Sequence, residues 1–103
     1  MTEVEDSFEE GGGRVSYPTL IIFVRKYLRP MEGNDRKALS VFKLHETKEA
    51  SRRLEAELFS IKNLEASHEF LQNLLGQKKG KEYQGYDKWA GIMLQLLPAI
   101  RDV

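Results

Sequence analysis

Two histidines, each followed by a glutamate, are the residues of this 103-residue chain best suited to chemistry: His45-Glu46 and His68-Glu69. A zinc-protease helix places a second His four residues after the first, so that both rings meet one ion on one face. Those positions hold Glu49 and Gln72, and the motif fails. Metal sites in helical bundles use Glu-x-x-His. Glu65 stands at that spacing before His68, but Phe42 stands before His45, which leaves half a site. His45 reads as a surface residue and His68 as the edge of a heptad core. None of the serines lies in a Gly-x-Ser-x-Gly elbow. Ser67 and His68 are adjacent on a helix, about 100° apart, and form no relay. Gly11-Gly12-Gly13-Arg14 lacks the Lys-Ser/Thr of a phosphate loop. The absence of cysteine removes disulfides and thiolate metal sites. The expectation is a non-enzymatic protein with no cofactor and no metal.

Basic residues offer a second chemistry. Lys78, Lys79 and Lys81 flank Gly80, with Tyr83 and Tyr86 close behind, and Arg25, Lys26, Arg29, Arg52 and Arg53 lie upstream. Cations interleaved with aromatics neutralise phosphates and stack on bases. Against this, the formal net charge is zero, which is low for a nucleic-acid-binding domain. The zero hides a division. Residues 1–13 carry Glu3, Glu5, Asp6, Glu9 and Glu10 with no basic residue, whereas residues 14–53 hold 10 basic and 4 acidic side chains. A tethered acidic arm would compete with polyanions for that basic half.

The elements that must position these groups follow from apolar spacing. Residues 1–15 read as a flexible acidic tail with a glycine hinge, in which Phe8 resembles a short docking element. Residues 16–103 read as a single helical domain. Leu20, Phe23, Val24, Tyr27 and Leu28 fall on one helical face, with Ser16 as N-cap, Pro18 in the first turn and Pro30 as the stop. From Asp35 to Leu75 there is neither Gly nor Pro. Asn34 or Asp35 caps its start, and the spacing predicts two helices meeting near Ser60 to Asn63, with Asn63 capping the second. One long helix is the alternative. Gly76 closes this region, residues 77–81 form an exposed basic loop, and a last helix runs from about Asp87 to Leu97. Gly91 within it permits close helix approach.

The predicted fold is therefore all-α: a small bundle of about four helices, or three if the middle region is continuous, behind the acidic tail. A domain this small leaves some apolar surface uncovered. The expected function is a helical protein–protein interaction module, a small subunit or adaptor with a self-associating option. Its partner-binding stripes would be Ile61, Leu64, Leu71 and Leu75, and Trp89, Met93, Leu97 and Ile100. The alternative is a nucleic-acid-binding accessory protein using Arg25, Lys26, Arg29, Arg52, Arg53, Lys78, Lys79 and Lys81. The longest apolar run, Leu20 to Val24, is far short of the ~20 residues of a membrane span. The acidic N-terminus is unlike a secretory leader. A cytoplasmic or nuclear setting, with no membrane partner, is expected.

Overall fold

The computed structural model describes residues 16–100. The expected tail and glycine hinge over 1–15 lie outside the described residues. Six helices and no strand occur among them, so the all-α reading holds while the expected count of four does not.

Helix α1 (Pro18–Ile22) starts with proline at its first position, where a missing N–H costs little. Tyr17 rather than Ser16 is the N-cap residue, and it offers no side-chain acceptor to the helix. Glu57 of α3 supplies one instead. Its carboxylate accepts the Thr19 N–H at 3.3 Å and the Leu20 N–H at 2.7 Å. From Phe23 to Leu28 the winding widens into a π-helix, the Arg29 N–H reaching the Val24 carbonyl at 2.9 Å. Phe23, Val24, Tyr27 and Leu28 all turn inward, and the Phe23 and Tyr27 rings meet Phe42 edge-on, at 5.6 and 5.5 Å between centroids. The helical reading of this β-branched and aromatic run is borne out.

The region from 35 to 75 forms three helices rather than one or two: α2 (Asp35–His45), α3 (Lys48–Lys62) and α4 (His68–Leu75). Asn34 caps α2 as expected, accepting from the Lys37 N–H at 3.1 Å. The breaks fall where Thr47 and Ser67 bend the backbone and cap the next helix, accepting from Ala50 and Phe70 at 3.0 Å each. Asn63 stands at the C-terminal end of α3 and does not cap a following helix. Glu46 is held outside α2 by the Tyr27 hydroxyl, which donates to it, and by Lys26 at 3.6 Å.

Residues 77–81 are not a loop but the body of α5 (Gln77–Tyr83), which leads directly into α6 (Tyr86–Ala99). Two contacts explain the difference. Gly80 lies flat against the Tyr86 ring, where a Cβ would sit 2.9 Å from Cζ. Lys79 is drawn into the interior. Its ammonium donates to the Gly33 carbonyl at 2.9 Å and to both Asp35 oxygens at 3.3 Å. Asp35 also accepts from the Tyr83 hydroxyl at 2.6 Å and the Trp89 indole N–H at 3.1 Å. One carboxylate thus joins α2, α5 and α6. Gly91 has no comparable role: a Cβ there would meet only the tip of Lys62 at 3.9 Å. Pro98 sits inside the last turn of α6, which ends at Ala99. Lys43 closes that end by donating to the carbonyls of Leu97, at 2.8 Å, and Ile100.

Helices α3 and α6 form the central pair, and α1 and α2 pack around them. Their shared core is built on Trp89, Phe23, Phe42, Leu20, Leu39, Leu54, Leu58, Ile61 and Met93. No helix among the described residues is long and apolar enough to cross a membrane.

Removing one member of a buried ion pair costs about 3–5 kcal/mol. Asp35→Ala is expected to lose that much, because Tyr83 and Trp89 lose their acceptor and Lys79 loses its buried counter-charge. Lys79→Met should cost less, since Asp35 keeps two donors. Urea unfolding followed by the fluorescence of Trp89, the chain's one tryptophan, measures both; the reverse order would contradict this account.

Burial pushes the Glu57 carboxyl above its ordinary value of 4.5, against the opposing pull of the Leu20 and Thr19 groups and Arg53. The folded chain then holds this proton more tightly than the unfolded one. The group's contribution to stability is fully present below 4.5 and is lost as pH rises through the folded pKa. Glu57→Gln removes that dependence. The stability of the native chain minus that of the variant is expected to grow between about pH 7 and about pH 4, and a flat difference would refute the assignment.

Candidate functional site

Among the described residues, three non-glycine residues have left-handed backbone: Glu32 (φ 56°), Leu64 (φ 64°) and Gln84 (φ 63°). Each stands just past a helix end, where glycine is the usual occupant. At Leu64 both hydrogen bonds of a Schellman motif are present, Glu65 N–H to Ser60 O and Leu64 N–H to Ile61 O, each 3.0 Å. Gln84 repeats the arrangement, with Gly85 N–H to Gly80 O at 2.8 Å and Gln84 N–H to Lys81 O at 3.3 Å. A leucine in this conformation costs roughly 1–2 kcal/mol. Leu64 is nonetheless 75% exposed, so no burial offsets that cost.

Leu64 and Gln84 both line one groove of about 600 Å³, formed where the α3–α4 turn, α4, α5 and the start of α6 meet. Its floor is apolar: Ile61, Leu71 and Tyr86, all buried. Its rim is polar, with His68, Gln72, Gln77, Lys81 and Asp87. A second hollow, lined by Lys78 and Glu82, shares Gln77 and Lys81 with it and extends it over α5. Tyr86 is fixed by donating to the Gly76 carbonyl at 2.8 Å, and burial raises its phenol pKa, so it stays a neutral donor. The His68 ring lies 5.4 Å from the Tyr86 ring. No hydrogen bond among the described residues joins His68 to Asp87 or to Glu65, which instead accepts from Ser60 at 2.9 Å. Among the described residues no three His, Asp or Glu side chains converge as metal ligands.

The stripes expected to bind a partner divide sharply. Trp89, Met93, Leu97 and Ile100 are core residues, held inward by α6 packing on α3 and α2, and the Trp89 N–H is committed to Asp35. None of them lines the groove. Of the other stripe, Ile61 and Leu71 are buried as groove floor, Leu75 is half-buried against the core, and Leu64 alone projects. The break at 63–67 is what separates Leu64 from a continuous heptad seam.

The basic residues are likewise dispersed. Lys79 is interior. Lys26 faces Glu46, Arg53 lies 3.9 Å from Glu49, and Arg29 donates to the Leu74 carbonyl at 3.0 Å. Arg25 and Arg52 are exposed on α1's π-turn and on α3. Only Lys78 and Lys81 come together beside the groove. Compared with protein-family models, curated proteins and solved structures, the chain matches none.

Gln72, Gln77 and Gln84 were not singled out by spacing, and neither was the groove. The one visible signal was Gly85 after Gln84, a turn marker. If Leu64 is strained as its backbone indicates, Leu64→Gly should raise stability by about 1 kcal/mol, the left-handed cost less glycine's extra chain entropy. Urea unfolding checks this, and a loss of stability would show that Leu64 packs more than its exposure suggests.

Proposed function

We propose that the protein is a non-enzymatic helical interaction module that receives a partner polypeptide in the groove beneath Leu64. The observation that carries this reading is Leu64 itself: an apolar side chain held in unfavourable backbone, left in water, at the lip of an apolar floor. Backbone strain concentrates where function requires it, and an apolar concavity with a few polar rim groups suits a side-chain anchor. The rim amides of Gln72, Gln77 and Gln84 can donate to and accept from an incoming main chain. The polyanion reading has less support, because Lys79 is committed to Asp35 and Lys26, Arg29 and Arg53 are engaged elsewhere.

A photo-reactive benzoylphenylalanine at Gln77, exposed on the rim, tests the proposal in extract of the native host. Lys48 is the control, at the far end of α3, about 20 Å from Leu64 at 1.5 Å per residue. One discrete adduct from position 77 and none from 48 is expected. Equal labelling, or no cross-link from position 77 either to another polypeptide or within the chain, would sink the groove as a docking surface, and an adduct of twice the chain's mass would assign it to a second copy. Loss of single-stranded DNA binding on Lys78→Ala with Lys81→Ala would favour the polyanion reading instead.

A further inference from the structure

We infer that the groove is occupied by this chain's own N-terminal residues, with Phe8 over Ile61, Leu71 and Tyr86 and the acidic neighbours of Phe8 against Lys78 and Lys81. This rests on the reading of the groove as a docking surface and names its first occupant.

Three observations point to that segment. The first is where the chain enters the fold. Tyr17 stacks on Phe70 at 5.2 Å, and its hydroxyl lies 2.8 Å from Ser60 Oγ. Ser60 and Phe70 are the immediate neighbours of the groove residues Ile61 and Leu71. Tyr17 therefore sits beside α3 and α4, two of the elements that line the groove.

The second is length. Phe8 is nine residues from Tyr17, a reach of up to ~30 Å in extended chain. The described fold measures 37 × 30 × 24 Å, so that reach is comparable with the whole molecule's width.

The third is charge. Residues 1–13 hold five carboxylates and no cation. On the α5 rim, neither Lys78 nor Lys81 has a carboxylate within 4 Å among the described residues. Glu82 faces Lys79 at 3.7 Å, and the Asp87 carboxylate is folded back against Gly85. At the groove's rim these two lysines are placed to answer an acidic segment, and Phe8 is that segment's one aromatic. Tethering supplies an effective concentration on the order of 1 mM, so an intrinsic Kd of about 0.1 mM fills the groove roughly ten times in eleven. An outside partner would then compete with the chain's own end.

The chain has no cysteine, so Ser7→Cys in the full-length protein accepts a single nitroxide label beside Phe8. Paramagnetic broadening of amide signals is expected to concentrate at Leu64, Gln72, Lys81 and Gln84 and to spare Lys48. Phe8→Ala should reduce that broadening about tenfold, as the anchor of the tethered complex is lost. Uniform broadening, or broadening centred elsewhere, overturns the inference. So does broadening seen only when labelled protein is mixed with unlabelled isotope-enriched protein, which would put a second copy's segment in the groove. A flat profile with the Gln77 cross-link intact removes this occupant and leaves the groove. Loss of both removes the docking surface itself.

Discussion

An ionised carboxylate leaves water only when its lone pairs are answered, and in this chain Asp35 is answered from two other helices at once. Lys79 of α5 brings the opposite charge and Tyr83 of the same helix a hydroxyl, while Trp89 of α6 brings an indole N–H. The position at the start of α2 adds the favourable end of a helix dipole. Burial and the nearby Asp35 charge raise the Tyr83 phenol pKa, which keeps it the donor in that contact. Because α5 has seven residues, too few to be stable alone, the inward pull of Lys79 and the bond from Tyr83 are what make it a helix. The groove depends on the same interaction, since α5 is one of its walls.

Asn34, Thr47 and Ser67 cap α2, α3 and α4 locally, whereas three other helix ends are closed by distant side chains. Glu57 answers the start of α1, Lys43 the end of α6, and Arg29 the end of α4. Each is a charge placed at the terminus of suitable sign, and each ties one helix to another. This explains why a domain of this size keeps Glu57 buried despite its desolvation. The carboxylate replaces a local cap that Tyr17 cannot supply.

Apolar spacing made the helical class legible, along with the face of α1, the Asn34 cap and the turns at Pro30 and Gly76. It misplaced what depends on partners far away in sequence. A lysine triplet around a glycine has the composition of a solvated loop, and nothing local shows that its middle member pairs with a residue 44 positions earlier. The stripe Ile61, Leu64, Leu71 and Leu75 looks continuous because its heptad-like spacing survives the turn at 63–67. Thr47 and Ser67 were the local markers of the true starts. The groove was harder to read, because its two turns use leucine and glutamine where the usual marker is glycine.

Those two turns also bear on why the groove exists. A Schellman turn reverses the chain at the cost of one left-handed residue, and glycine makes it with little strain. At Leu64 and Gln84 the chain accepts the strain and gains a side chain at each lip. In Leu64 the gain cannot be internal packing, because three-quarters of the residue faces solvent. Glu32 shows the contrast: it has the same backbone and an exposed polar side chain, and it lies outside the groove lining. A water-exposed leucine stabilises the folded state only when something apolar covers it. The physical case for a docking polypeptide is therefore strongest at this one residue, and the floor of Ile61, Leu71 and Tyr86 beneath it is the surface such a cover would share.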